Sequence, residues 1–452
     1  MLKVVDPLLG VSAEEETRII EQARLNDTMR EKLRLRAKAE SNTKIFTDAF
    51  VPIAETLKTA TDGGVPWLKS KPKLDNYFLA LHEEIIAFTK WVSLTREEKQ
   101  FRSNFLARIA QVCSAIWPTG RLVVFGSGFT DLQLPSSDID LVLTNIPTIE
   151  DYPDTIRRRH DNHQTIPDCL RILADRLLET SDVTFVEIRD KAKVPLLVLK
   201  DGTGTEVDVT VNVEDPLGTS MFIKHEGVDL FPAFRPLTLL LKTFLYQRGL
   251  HDTYLGGVGS YLLSCLVLGF LQQHRQSRAL SDGDAGLSLG HLIYDFFTFY
   301  TRDFNSLREG LSVRGRGSRF DKRDREFEQV AMRRNPDALC VESPLEPHVD
   351  IGGKCFAWKV VKQAFIQARL EIVDGVREWT AKTGVSLLCP ALVHSRIDRV
   401  GHVVEDLVRT EAASSTLYSE RTFRDHHGHD GDHKRKRKFS RDSEDDSHRK
   451  RR

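Results

Sequence analysis

Apolar residues recur at helical spacing through Leu74, Phe78, Leu81, Ile85 and Phe88, forming one stripe on one face. Thr95 followed by Glu98 reads as a capping box, whose two side chains satisfy free amides at a helix start. Phe101, Phe105, Ile109, Val112 and Ile116 mark that second helix, and Pro118-Thr119-Gly120 ends it. The period then changes. Leu122–Phe125 and Asp138–Thr144 read as strands, followed by Val183–Ile188, Val194–Leu199 and Glu206–Asn212, with a helix over Ile166–Glu179 among them. From Pro236 the spacing is helical again. The proline suits the first position of a helix carrying Leu237, Leu240, Leu241 and Phe244. Tyr261–Leu271, Leu289–Tyr300 and Phe356–Val373 complete the run. The pattern predicts an α+β fold in which a small sheet domain (119–225) is inserted between two sets of helices (66–118 and 226–375) that pack as one helical domain.

Flanking these are a charged extension over 1–65, a C-terminal extension over 376–425 and a low-complexity tail over 426–452. Glu14–Glu40 is helix-prone, with Leu25, Met29 and Leu33 on one face of an otherwise charged segment. At 452 residues the chain exceeds one comfortable core. Lys+Arg and Asp+Glu are 65 each, so the formal net charge is zero. That balance is an average, because Lys434–Arg452 carries ten Lys/Arg against four Asp/Glu. The longest apolar stretch, Tyr261–Leu271, is too short for a bilayer, which needs about 20 residues, so no membrane association is expected. The opening MLKVVDPLLGVSAEEE lacks a signal-peptide pattern. Six cysteines without a CxxC pair offer neither a zinc knuckle nor a disulfide framework, which suits a reducing compartment.

The chemistry concentrates in one stretch. Gly126-Ser127 follows the first strand, and ten residues later comes Asp138-Ile139-Asp140. Side chains two apart on a strand share a face, so both carboxylates project together while Ile139 faces the core. Like charges so placed repel unless cations sit between them, an arrangement costly for structure alone and suited to Mg²⁺. Asp208, among the valines of a later strand, supplies a third carboxylate for a two-metal site. The glycine lets backbone approach a phosphate, and Ser127 can donate to it.

These residues resemble the DNA-polymerase-β-like nucleotidyltransferases. Four longer stretches narrow the likeness: PWLKSKPKLDNYFLALHEEI, FGSGFTDLQLPSSDIDLVLT, the run from Phe234 to Gln272, and VESPLEPHVDIGGKCFAWKVVKQAF. Together they resemble the noncanonical nuclear poly(A) polymerases that serve the TRAMP complex, over roughly Pro66 to Glu371. The resemblance implies a nucleotidyltransferase sheet domain, a helical central domain, and ATP as substrate in the cleft between them. It implies Mg²⁺, with Mn²⁺ as an alternative, on Asp138, Asp140 and Asp208. Gly126 and Ser127 would meet the triphosphate, as would Lys242 and Ser260, and Tyr261 would stack on the base. Loop 342–352 would recognise the nucleotide, with Asp350 as its acid. Partners implied are RNA, a zinc-knuckle RNA-binding protein, an RNA helicase and, functionally, the exosome.

Three positions depart from the pattern. Gly128 stands where a bulkier residue is common, Ser343 where an Asp usually precedes Pro344, and Val349 where adenylating relatives carry Asn and uridylylating ones His. The basic stretch Arg314, Arg316, Arg319, Lys322, Arg323 and Arg325 is a candidate RNA contact, and glycines 315 and 317 suggest a mobile loop. No aromatics interleave with it, so weak intrinsic RNA affinity supplemented by a partner is expected. His426, His427, His429 and His433 lie in a Gly/Asp-rich segment that reads as solvated. Lys434–Lys438 and Arg449–Arg452 resemble nuclear localisation clusters, predicting nucleoplasm or nucleolus, and read equally as arms that hold RNA. The expected function is template-independent addition of AMP to RNA 3′ ends, tagging nuclear RNA for the exosome. The alternatives are a uridylyl- or mixed-base transferase and a non-catalytic scaffold.

Overall fold

The computed structural model describes residues between 65 and 388, apart from 66, 69–73, 75, 149–164, 181–182, 203, 214, 275–287, 325–337 and 380–385. The charged extension, the basic tail with its histidines, and Arg325 lie outside the described residues.

Helix α1 (Tyr77–Val92) is capped by Asn76, whose side chain accepts from the amides of Phe78 and Leu79. Helix α2 (Arg96–Ile116) begins on the Thr95–Glu98 capping box, with both reciprocal bonds made. Strand β1 (Arg121–Val124), the short helix α3 (Gly126–Thr130), β2 (Ile139–Thr144), α4 (Ile166–Thr180), β3 (Val183–Arg189), β4 (Leu196–Asp201) and β5 (Glu206–Val211) follow. The five strands form a mixed sheet in the order β1-β2-β5-β4-β3. Its single parallel pair is β2 with β5. The later helices are α5 (Asp215–Phe222), α6 (Phe234–Gln247), α7 (Ser260–Gln273), α8 (Leu289–Thr298) and α9 (Trp358–Arg377). Single π-helical segments follow α5 (Ile223–Asp229) and α8 (Phe299–Asp303). Three short strands, β6 (Glu309–Ser312), β7 (Ser318–Asp321) and β8 (Val341–Glu342), form a second sheet in the order β7-β6-β8. Among the described residues no helix is long and apolar enough to cross a membrane.

Two hydrophobic cores divide the described chain. Ile139, Leu141 and Leu143 of β2 with Val207, Val209 and Val211 of β5 face Phe105, Ile109 and Cys113 of α2 and the apolar side of α4. The larger core joins α1 to α6, α7, α8 and α9. The inserted arrangement therefore holds, with one correction. Helix α2, expected among the helices of the central domain, covers the sheet instead. Its Phe105–Ile109–Cys113 stripe finds alternating valines and leucines, a partner that helical periodicity alone does not specify. A second correction concerns Pro236, which is the third residue of α6 rather than the first. The first helical turn has no intrahelical amide bonds to lose, so the proline is equally tolerated there.

Helices before and after the insertion meet without intervening side chains. A Cβ on Gly290 of α8 would lie 2.2 Å from the Phe78 carbonyl oxygen of α1. Ser288 donates to the same carbonyl at 3.2 Å, and the Leu289 amide donates to His82 Nδ1 at 3.0 Å. Buried Glu84 of α1 gathers both ends of the described chain, accepting from Trp67 Nε1 at 3.0 Å, from the Ser386 hydroxyl and from the Leu387 amide at 2.6 Å. Residues 386–388, assigned from sequence to a separate extension, thus return to the helical core. Gly290→Ala should cost about 1–3 kcal/mol, the scale of overpacking a dense contact, read as a lower urea midpoint. An unchanged midpoint would show that α1 and α8 can separate freely.

Candidate active site

Strand β2 pairs with β5 so that Asp140 lies opposite Asp208 and Ile139 opposite Val207. In a parallel pair, directly opposed residues share a face, so both carboxylates stand on the side away from α2 and α4. Asp138, immediately before β2, adds a third. Burial is the first cause lifting Asp140 to a pKa of about 7, and Asp138 and Asp208 add to it while Lys242 opposes it. Asp208 is lifted to about 6, chiefly by burial, then by Asp138 and Glu206. Asp208 Oδ1 is buried without a hydrogen-bond partner.

The carboxylate side of the sheet forms one wall of a cavity of ≈ 610 Å³. Gly126, Ser127, Asp138 and Asp140 line it from the sheet domain, and Lys242, Ser260 and Tyr261 from α6 and α7. Gly126 has a φ of 62°, and a Cβ there would meet Asp140 Oδ2 at 2.2 Å. Glycine is thus required both by the backbone turn and by the adjacent carboxylate. Its amide donates to Ser220 Oγ at 2.8 Å, tying the turn to α5. Gly128 packs with a Cβ position 3.0 Å from Val124 Cγ1, so a bulkier side chain would press on β1.

Lys242 donates to the Leu132 carbonyl at 2.9 Å. Burial pulls its pKa down to about 8, against Asp138 and Asp140, which hold it up. Tyr261 is partly buried in the cavity wall with its hydroxyl against the Cys265 thiol, and burial first, then Cys265, raises its pKa.

Three residues that pattern reading missed organise this wall. Arg102 of α2 donates to the carbonyls of Pro135 and Ser137 at 2.7 and 2.8 Å, holding the loop that delivers Asp138. Arg235 of α6 donates to the carbonyl and the carboxylate of Asp131, both at 3.0 Å. Asp131 itself takes a left-handed φ of 58°. No motif announces these residues, because their partners are backbone atoms and a turn residue brought near only by folding.

Other expected residues lie elsewhere. Val349 and Asp350 are not in the cavity wall. Asp350 Oδ1 accepts from the amides of Val341 (3.0 Å) and Gly352 (2.8 Å), so this carboxylate shapes its own loop. Val349 is 42% exposed, and its carbonyl accepts from the Ser343 amide at 2.8 Å. Leu345 of that loop reaches Gly218 of α5, where a Cβ would be 2.9 Å from its methyl.

The basic stretch also divides. Arg314 and Arg316 are exposed at the turn between β6 and β7. Arg319 donates to the Asp303 carbonyl at 2.8 Å. Lys322 is occupied by the carbonyls of Ser306 and Ala338, both at 2.6 Å. Gly315 and Gly317 supply positive φ of 60° and 74° for a tight hairpin, and Gln272 donates to the carbonyls of Val313 and Gly315. The expected mobile loop is a pinned turn.

Among the described residues no three His, Cys, Asp or Glu side chains already converge on an ion-sized point. The donor set nevertheless fits a hard divalent cation: Asp140 and Asp208 share one face with Asp138 next to them in the chain, burial and neighbouring carboxylates raise Asp140 and Asp208, and Asp208 keeps an orphaned oxygen.

Two family models match in the order the fold requires. Residues 81–225 match the central palm domain of mitochondrial-like poly(A) RNA polymerases, and 288–349 match the Cid1 family poly(A) polymerase domain. Poly(A) RNA polymerase CID14 of Cryptococcus neoformans is 33% identical over 62% of this chain and 35% of its own length. An inactive noncanonical poly(A) RNA polymerase of Drosophila melanogaster, Trf4-2, is 33% identical over 63% of this chain and 66% of its own. Poly(A) RNA polymerase protein 2 of Saccharomyces cerevisiae is 30% identical over 67% and 50%. The chain therefore spans only part of each of these relatives. The polymerase core of TRAMP, an RNA surveillance complex, superposes with a TM-score of 0.62 at 26% identity, covering 73% of this chain and 99% of that one. The Cid1 poly(U) polymerase shares the fold at 16% identity and a TM-score of 0.55, covering 69% and 98%.

The buried carboxylates give a pH test on chelator-treated protein. A carboxyl with a folded pKa of about 7 holds a proton that the unfolded chain, near 3.9, releases. Stability should therefore fall as pH rises from about 4 to about 7 and level off above. Asp140→Asn should flatten that slope and raise the melting temperature at pH 7.5; a slope identical to wild type would show that Asp140 is not crowded by its neighbours.

Proposed function

Given that the chain belongs to the noncanonical poly(A) RNA polymerases of the Trf4/Cid14 type, we propose that it adds AMP from ATP to RNA 3′ ends without a template. The observation that carries this reading is the register that sets Asp208 beside Asp140, which with Asp138 lines a cavity walled by Lys242 and Tyr261. The RNA 3′-hydroxyl attacks the α-phosphorus of ATP in line. The new P–O bond forms as the bond to the β-phosphate oxygen breaks, and pyrophosphate leaves. Asp138, Asp140 and Asp208 would hold Mg²⁺, which when bound compensates the charge of the triphosphate. Asp208, with one oxygen unpartnered, assists removal of the hydroxyl proton. Ser127 and Ser260 donate to phosphate oxygens, and Lys242 faces them as a point charge. Tyr261 offers its ring to the adenine, a contact tolerant of every base.

The tailing marks nuclear RNA for exosomal processing, in company with a zinc-knuckle protein and a helicase. The basic clusters of the tail and the likeness to the TRAMP core support that setting. The match to an inactive relative favours one other reading, a scaffold without catalysis. The complete carboxylate set argues against it. Primer extension with each nucleoside triphosphate in turn separates them. Asp138→Asn with Asp140→Asn should abolish extension while leaving the circular dichroism unchanged; surviving extension would sink the catalytic assignment.

Base choice gives a second prediction. Val349 lies outside the cavity wall, but the family likeness gives its position a part in reading the base, where valine would offer apolar contact in place of a hydrogen bond of about 0.5–1.5 kcal/mol net, roughly two- to twelvefold in selectivity. ATP should be preferred with some use of other nucleotides. Val349→Asn should sharpen that preference and Val349→His should raise UTP use in a four-nucleotide competition. Unchanged selectivity in both would leave Val349 without a part in reading the base.

A further inference from the structure

Two loops distant in sequence meet beside the cavity and bring aromatic and basic side chains together. The first runs from His251 to Val258, and both of these residues line the cavity. It is held by its own backbone. The Val258 amide donates to the Leu250 carbonyl at 2.8 Å and the Gly257 amide to the Asp252 carbonyl at 2.8 Å. The Asp252 carboxylate accepts from the Tyr254 amide at 2.8 Å. Gly256 is at a φ of 77°, and a Cβ on Gly257 would strike the Leu250 carbonyl at 2.3 Å, so the turn is compact. At its tip Tyr254 is 93% exposed. An aromatic ring carried on a fixed turn and left almost wholly in water contributes little to folding.

The second loop follows the nucleotide-recognition segment. Phe356, 48% exposed, lays its ring against Gly256, where a Cβ would meet ring carbons at 2.4 Å. The Ala357 amide closes the junction by donating to the Gly256 carbonyl at 3.0 Å. Lys354 and Lys359, either side of Phe356, are both exposed. From Tyr254 the surface leads to His251 and Tyr246, whose rings are 4.7 Å apart and which both line the cavity. Aromatic faces in series with cations beside them, leading into a nucleotide-sized cavity, are the chemistry that holds single-stranded nucleic acid.

We propose that Tyr254 and Phe356, with Lys354 beside them, form the platform on which the last bases of the single-stranded RNA substrate stack as its 3′ end enters the cavity past His251 and Tyr246. This rests on the RNA-tailing reading. It assigns the RNA contact to a surface that only tertiary packing assembles, rather than to the arginines after Ser312. The lysine charge beside the rings and their continuity with the cavity favour RNA over a protein partner as the occupant.

The test uses the full chain with a fluorescein-labelled 15-mer oligo(A), binding being read by anisotropy and extension by gel. Tyr254→Ala, at a side chain with almost no packing to lose, should weaken RNA binding and raise the KM for RNA roughly five- to hundredfold, with the KM for ATP unchanged. Tyr254→Trp should retain binding. Lys354→Ala should weaken binding most at low salt and reduce the salt slope by about one. Phe356→Leu, which keeps the packing on Gly256, should also weaken RNA. A 4-thiouridine at the RNA 3′ end should cross-link within 246–258 or 354–358. RNA binding within twofold of wild type for all three weakening variants would overturn the platform while leaving the tailing activity to stand. Loss of a protein partner with RNA binding intact would overturn it in favour of a docking surface. RNA binding that falls as expected in a chain that extends no RNA would remove the catalytic reading and keep the platform.

Discussion

The parallel pairing of β2 with β5 is the constraint on which the site depends. It places Asp140 and Asp208 abreast on one face of the sheet, with Asp138 a step away. Burial and mutual repulsion then make this the least comfortable part of the sheet domain. A fold selected for stability alone would have valines there, as it does one residue along at Val207 and Val209. The discomfort is tolerable because α6 brings Lys242 to the same wall, and it becomes useful when cations and a triphosphate arrive.

Helix α6 does more than supply one charge. Its Arg235 and Lys242 both reach across to residues 131–132, the segment between the Gly126 turn and the carboxylates. Arg102, from the helix that covers the opposite face of the sheet, fixes the rest of that loop. The delivery of Asp138 is thus governed by cations on two helices, one from each core. Each is satisfied by carbonyl oxygens rather than by an ion pair alone, which defines a loop path more tightly than a single carboxylate could.

Elsewhere the structure reassigns polar groups that looked functional. Asp350 gives its carboxylate to two amides of its own loop, and Lys322 gives its amine to two carbonyls. Buried or half-buried polar groups must find partners, and in a short irregular segment the nearest partners are backbone. A charged residue in a motif can therefore shape the loop that serves the site without touching the substrate.

Much of the architecture was legible along the chain. The helix–strand–helix change of period, the Thr95–Glu98 cap and the two-residue spacing of Asp138 and Asp140 depend on local geometry, which repeats every two or 3.6 residues whatever lies beyond. The same geometry explains why Gly126 could be singled out, since only a residue without Cβ suits that turn. Which helix covers which core was not legible, because the apolar stripe of α2 would suit helices or sheet equally. Nor was the register that sets Asp140 against Asp208, nor the meeting of Gly256 with Phe356 across a hundred residues. Arg102 and Arg235 stayed hidden for the same reason: a guanidinium's role is set by the acceptors it meets, and these came from turns that folding alone brought within 3 Å. Local sequence determines which elements form and which faces they present; the packing of those faces decides which polar groups share a cavity.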